Sequence, residues 1–350
     1  MTAPSAISNG GEPSAKRPRL ADHGDETGDG KTTYTMAYLG PEGTYGQMAA
    51  EAFKSCYDND VPIELIPCPS ISAIWKTSST FHVFPLENTI HGGVTETLDC
   101  LLSNLNPDKG MTELDEEKKS RKIIADLALP ISHCLVVRKG VKKEDIKWIR
   151  SHEQALGQSS KFIETHFPTA KLKTYPSTAG AAVSLINDLD EGEGKGAALC
   201  SKAAAKLYED KLDVLYQGTQ GISNNFTRFV LLSNHYSRPP PEATTTFPPY
   251  QSTEFYAIPS ASDIIAFFQS SQIRNIHSRP SPSTSDKDET QRKSTQWTYR
   301  EERFPTLYFV EVDAASDSNN QSETSKRGEE KGWFLGKAGW RVTDAQINAL

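Results

Sequence analysis

Apolar positions come in short runs, and the runs alternate with helical spacing. Tyr34–Leu39 is a β-like run that ends at Gly40-Pro41-Glu42-Gly43-Thr44. Met48, Ala49, Ala52 and Phe53 then share one helical face. Strand, glycine-rich turn and helix together predict the opening unit of an α/β fold. Ile63–Pro67 and Phe81–Pro85 read as further strands, separated by a short helix from Ile71 to Lys76. Val94–Leu102 has helical spacing, and Lys122–Leu129 and His133–Arg138 are β-rich. The alternation resumes with strands at Ile146–Arg150, Lys171–Tyr175 and Ala197–Ser201. Helices fall between and after them, through Phe162, over Thr178–Ile186 and over Lys202–Tyr208. Val214–Gln217 and Arg228–Leu232 close the region as strands. The order predicts largely parallel sheets in two α/β lobes, with ligands at the carboxyl ends of strands between them.

Polar segments divide the chain. Residues 1–32 are rich in Gly, Ser, Pro and Asp and read as a disordered tail. Its Lys16-Arg17-Pro18-Arg19 fits a solvated tail better than an import signal. Residues 33–235 form the two-lobed region. Arg238-Pro239-Pro240-Pro241 and Pro248-Pro249 make 236–252 a stiff linker. Residues 253–350 read as a small α+β unit, with strands at Thr253–Ile258, Ile273–Ile276 and Leu307–Asp313 and a helix at Ile264–Phe268. Its stretches 281–303 and 314–331 are polar insertions.

Composition narrows the function. The net charge is −7, which gives no basic footprint for nucleic acid. No apolar run reaches the ~18 residues of a membrane helix, and the first thirty residues lack a signal-peptide core. The five cysteines are scattered, with no CxxC pair, as expected of a cytoplasmic protein. Nucleotide-binding glycine motifs, HExxH and GxSxG are missing, so neither metal nor cofactor is expected.

What remains is a set of polar turns at strand ends. Gly43-Thr44 could cradle an anion at a helix start, or simply turn the chain. Glu87-Asn88-Thr89 is a second such turn. Ser151 and Gln154 could form a capping box or touch a ligand. In Asn225-Phe226-Thr227-Arg228-Phe229, Arg228 either faces solvent or meets an anionic substrate, with Thr227 as a hydroxyl donor.

These blocks, in this order, resemble the prephenate dehydratase family. Tyr38–Tyr45 is similar to its F-L-G-P-x-G-T-[FY] block. Pro85–Thr89 with Val94–Asp99 is similar to its P-[IL]-E-N-[ST] segment and the T-x-D that follows. Ser151–Gln158 matches S-H-x-Q-A-L-x-Q, and Ser177-Thr178-Ala179 matches S-T-A. Asn225–Phe229 matches N-x-T-R-F. Past the linker, His277-Ser278-Arg279-Pro280 resembles the E-S-R-P motif of an ACT domain, with His277 in place of Glu. Gly180 and Gly221 also depart from the family pattern, where Glu and Asp are common.

The resemblance implies a periplasmic-binding-protein-like catalytic region and a ferredoxin-like ACT domain. It implies conversion of prephenate to phenylpyruvate, without cofactor or metal, under feedback by phenylalanine. Arogenate, or mere binding of a small molecule, are the alternatives. Thr227 and Arg228 are the implied catalytic pair. Gly43, Thr44, Asn88, Thr89, Ser151, Gln154, Ser177, Thr178, Asn225 and Phe229 are the implied substrate contacts. Ser278, Arg279 and Pro280 are the implied effector site. A homo-oligomer, dimer or tetramer, is expected, with no nucleic acid or membrane partner.

Overall fold

The computed structural model describes residues 25–26, 32–57, 61–103, 121–187, 195–222, 224–233, 252–259, 261–268, 273–280, 306–313, 333–342 and 347. Nearly all of the expected tail, the Lys16–Arg19 cluster, nearly all of the linker and both polar insertions lie outside the described residues.

The strands are β1 (Asp25–Glu26), β2 (Thr32–Leu39), β3 (Ile63–Cys68), β4 (Phe81–Asn88), β5 (Gly92–Gly93) and β6 (Lys122–Pro130). Then come β7 (His133–Arg138), β8 (Ile146–Ser151), β9 (Lys171–Thr174), β10 (Lys195–Ser201), β11 (Leu212–Gln217) and β12 (Phe226–Ser233). The last four are β13 (Thr253–Ile258), β14 (Ile273–Pro280), β15 (Thr306–Asp313) and β16 (Trp333–Arg341). The helices are α1 (Tyr45–Lys54), α2 (Ile71–Lys76), α3 (Thr95–Leu102), α4 (Glu153–Gln158) and α5 (Ser160–His166). They continue with α6 (Thr178–Asn187), α7 (Lys202–Leu207) and α8 (Ala261–Phe267).

Two lobes are present. The first is built on β2, β3, β4, β6 and β12; the second is a five-stranded sheet in the order β11-β7-β10-β8-β9. The sheets are mixed rather than largely parallel. The chain crosses between lobes twice, from β6 to β7 and from β11 to β12. On its return, β12 inserts between β4 and β6, antiparallel to both. In the second lobe β7 likewise runs antiparallel to β10 and β11. The two crossings touch: Ile131 N–H donates to Asn225 O at 2.8 Å, and Thr219 N–H to His133 O at 3.1 Å. This paired crossing forms the base of the cleft.

The C-terminal strands lie in the order β16-β13-β15-β14, and each neighbouring pair is antiparallel. Fourth-first-third-second is the order of a ferredoxin-like βαββαβ unit. The second helix of such a unit would fall in 314–332, outside the described residues. Residues 333–341, beyond the last strand expected from the sequence, form β16 in the last strand's place.

β16 also pairs in parallel with β6, so the C-terminal strands continue the sheet of the first lobe. Gly336 makes that contact possible. Its φ is +138°, and a Cβ there would sit 2.3 Å from the Ile123 backbone nitrogen. A common core follows. Ile74, Phe84, Leu86 and Leu98 pack in one cluster with Phe255, Leu307 and Phe309 of the C-terminal strands. No helix among the described residues is long and apolar enough to cross a membrane.

Candidate active site

A cavity of about 640 Å³ opens between the lobes at the strand ends. Its walls bring together Thr44, Asn88, Gln154, Ser177, Thr178, Thr227 and Phe229, all expected from sequence. It also holds Tyr45, His133, His152 and Gln158, which were not among the expected contacts. None of the described residues lining it is Asp, Glu, Lys or Arg. Recognition of a charged ligand here falls to hydroxyls, amides and helix N-termini.

Strand pairing explains the central contact. Thr227 of β12 stands opposite Asn88 at the end of β4. Asn88 Oδ1 accepts from the Ile90 and His91 backbone N–H groups at 2.9 and 3.1 Å. That fixes the amide's orientation, so Nδ2 must face β12. It donates to Thr227 Oγ1 at 3.0 Å, and is equally near Asn225 Oδ1 and Phe226 O. The Thr227 oxygen is thereby an acceptor, which leaves its own proton free to point into the cleft. Donation onto Oγ1 also polarises the hydroxyl and strengthens it as a donor.

The network continues across the cleft base. Asn225 Nδ2 donates to Gln158 Oε1 at 2.9 Å, and His133 Nε2 lies 2.9 Å from the same oxygen. An amide oxygen only accepts, so His133 carries its proton on Nε2. Its Nδ1 is then an acceptor, and the single Tyr45 hydroxyl proton is shared between that nitrogen at 3.0 Å and Ser132 O at 2.7 Å. Burial holds the His133 imidazole below its usual range, against the opposing hydrogen bond to Gln158. It therefore stays neutral at physiological pH. Asn88 and Tyr45 belong to one lobe and Gln158 to the other, so the chain ties the lobes together.

Several expected contacts serve the frame instead. Gly43 adopts φ +79°, and its N–H donates to Gln47 Oε1 at 2.6 Å, so it offers no donor to a ligand. Thr44 caps α1 by accepting from Gln47 N–H at 3.3 Å. Ser151 is neither cap nor ligand contact: it is fully buried and donates to Leu199 O at 2.7 Å. The cap of α4 is His152, whose side chain accepts from Gln154 N–H. Thr89 binds Asn224 O and accepts from Phe226 N–H, pinning the second crossing. Asn225 is 1% exposed and acts through Asn88 and Gln158. Ser177 accepts from Gly180 N–H at 3.0 Å and caps α6. Gly180 lies so close to the Tyr175 ring that a Cβ would come within 2.9 Å. Its neighbourhood has no room for the family's more common Glu unless that ring moves.

Arg228 requires the largest correction. Successive strand residues face opposite ways. With Thr227 and Phe229 in the cavity, Arg228 points away from it and binds three carboxylates. Nη1 reaches Glu311 Oε2 at 2.6 Å and Glu87 Oε1 at 3.1 Å; Nη2 reaches Asp126 Oδ2 at 2.8 Å. Its guanidinium also lies 5.6 Å from the Phe255 ring centroid. Arg228 shapes the floor beneath the cleft and is not available to a substrate carboxylate. In β14, Arg279 forms a two-pronged pair with Asp99 of α3, at 2.6 and 2.8 Å.

The family model described as prephenate dehydratase matches residues 36–237. The chain belongs to the prephenate dehydratase family. A prephenate dehydratase of Methanocaldococcus jannaschii is 34% identical over 199 residues, covering 56% of this chain and 64% of the relative. An arogenate dehydratase/prephenate dehydratase of Arabidopsis thaliana is 28% identical over 256 residues, covering 70% of this chain and 57% of the relative. The chain thus spans less than two thirds of these curated relatives' length. Among solved structures, an Arthrobacter aurescens prephenate dehydratase in complex with L-Phe superposes with a TM-score of 0.64 at 22% identity. That match covers 89% of this chain and 91% of the other. A quorum-quenching acylase, GqqA, superposes at 0.56 and 17% identity, with 89% and 98% covered. These superpositions speak for the fold. One fold here carries differently named activities, so function must be argued from the site.

Proposed function

We propose that the chain is a prephenate dehydratase. The carrying observation is the Thr227 hydroxyl, oriented by Asn88 and facing a cleft lined by neutral polar groups. In the reaction the ring carboxylate leaves as CO2. The electrons of its C–C bond enter the ring, and the C4–O bond breaks. The departing oxygen takes up a proton and leaves as water, and aromatisation drives the step. Thr227 donates to that oxygen as charge builds on it. Its own proton is replaced from solvent, so the residue ends unchanged. No organic cofactor is needed for this electron flow.

Carboxylate binding falls to Thr178 and to the N-termini of α1 and α6, two ten-residue helices capped by Thr44 and Ser177. Gln154 and Gln158 add amide donors. The choice between prephenate and arogenate follows from charge. Arogenate carries an ammonium where prephenate carries a keto oxygen. Among the described residues, the cavity lining has no carboxylate to receive it, which favours prephenate.

The C-terminal strands are proposed to be an ACT-type regulatory unit, preceded by the 236–252 linker. Their strand order and the L-Phe-bound structural relative support phenylalanine as effector. Ser278, Arg279 and Pro280 are the proposed contacts. The effector carboxylate would compete with Asp99 for Arg279. Ile265, 80% exposed, offers apolar surface for a homo-oligomer. Five free cysteines fit a reducing compartment such as the cytoplasm.

The deciding experiment measures phenylpyruvate formation from prephenate, with arogenate in parallel, for the native chain and Thr227→Ala. Turnover of prephenate that falls by roughly 10²–10³ in the folded variant supports the reading. Equal turnover by both forms removes Thr227 from the mechanism. No turnover of either substrate by folded native protein removes the enzyme reading.

A further inference from the structure

Below the cleft floor, the C-terminal strands meet β4 around Arg228. Three carboxylates surround this one guanidinium. Arg228 Nη1 takes a single oxygen from each of two of them, Glu87 Oε1 and Glu311 Oε2. Glu311 is 1% exposed, and its other oxygen, Oε1, is buried with no hydrogen-bond partner. A buried carboxylate oxygen left this way is costly unless something positive meets it. Half-buried His277 stands beside it. Glu87, His277 and Glu311 each offer one ligand atom, and these atoms all lie within 4.8 Å of one another.

The orientation of His277 follows from its neighbour. Asn275 Oδ1 accepts from Ile276 N–H at 2.9 Å, so Nδ2 is the end that faces His277 Nε2 at 3.0 Å and Glu87 Oε2 at 3.1 Å. His277 Nε2 is therefore an acceptor, its lone pair held by the Asn275 amide at the edge of the carboxylate cluster. We propose that Glu87, His277 and Glu311 form a binding site for a divalent first-row cation of the zinc class. One imidazole nitrogen with carboxylate oxygens is a donor set suited to that class. The cation would use the carboxylate oxygens that Arg228 leaves and would offset the excess negative charge. It would displace the Asn275 amide hydrogens, and rotation of that amide would bring Oδ1 in as a fourth donor.

The ligands come from β4, β14 and β15, so the cation clips the C-terminal strands to the strand that ends at Asn88. They are far apart in the chain and make no local motif. The site lies on the face of β12 opposite Thr227, and the proposal does not depend on which reaction the cleft performs.

The test uses the full chain, stripped with a chelator and titrated with Zn2+ by calorimetry and with Co2+ by visible spectroscopy. The expected results are one tight equivalent of Zn2+ and Co2+ d–d bands without thiolate charge transfer. A rise in Tm with Zn2+ should follow by mass action. His277→Ala should weaken Zn2+ binding at least about tenfold and abolish the Tm rise. Glu311→Gln should do the same; if it does not fold, His277→Ala, at a half-buried position, carries the test. Equal binding by native protein and His277→Ala overturns the proposal, as does a thiolate signature. Absence of binding by the native chain also overturns it and assigns the charge balance to protons.

Discussion

At the scale of single residues, the site is a matter of which hydrogen each polar group has left to give. Asn88 spends Oδ1 on its own loop and Nδ2 on the strand opposite, and this leaves Thr227 with a free proton. Thr227→Ser keeps the hydroxyl and the acceptor oxygen. It should retain turnover within about tenfold of native, whereas Thr227→Ala loses roughly 10²–10³. Steady-state kinetics on both variants check this, and equal losses would tie the effect to the methyl group. Arg228 shows the reverse case. Its sequence position beside Thr227 suggests substrate contact, yet strand alternation sends it to the other face.

At the scale of elements, two features carry predictions. His82 of β4 is fully buried, with Nε2 3.0 Å from Thr77 O. Burial first, and the Arg121 charge second, push its imidazole down to about 4. The folded state thus keeps His82 neutral while the unfolded chain protonates near pH 6.5. Stability is full above that value and falls as pH drops toward about 4, by about 3 kcal/mol in all from this group. Urea melts across this range should show the slope, and His82→Gln should flatten it. The second feature is Gly336, where β16 crosses close to β6. Gly336→Ala adds both a disfavoured φ and a clash with Ile123 backbone. A loss of at least about 1–3 kcal/mol is expected in denaturant melts. An unchanged midpoint would mean that this strand contact contributes little.

At the scale of the whole molecule, the C-terminal strands do not hang from the first lobe as a separate bead. They share its core through Phe255, Leu307 and Phe309, and β16 extends its sheet. Arg228 sits at the join, with carboxylates from β4, β6 and β15. Arg228→Met removes the positive charge that Glu87, Asp126 and Glu311 share. The expected cost is roughly 3–5 kcal/mol. Thermal denaturation tests this, and a cost under about 1 kcal/mol would show that the carboxylates find other partners. This join also gives a physical route by which events in the C-terminal strands can reach Asn88, since Glu87 is its immediate neighbour.

The sequence by itself determined the strand–helix order as far as β15, the polar turns at strand ends and the family. Those depend on local spacing, glycine-rich turns and short motifs, which act over a few residues. Thr227, Asn88, Gln154 and Ser177-Thr178 were legible because each sits in such a block. Tyr45 and Gln158 lay inside the same blocks without being singled out, and His133 had no local signal at all. The tertiary structure decided the rest. Only the return of β12 between β4 and β6 makes the sheets mixed and sets Thr227 opposite Asn88. Only three-dimensional packing turns Arg228 away from the cleft, buries Ser151, takes the Gly43 N–H and brings Glu87, His277 and Glu311 together. The physical reason is that facing and burial depend on partners distant in the chain, and no local pattern records them.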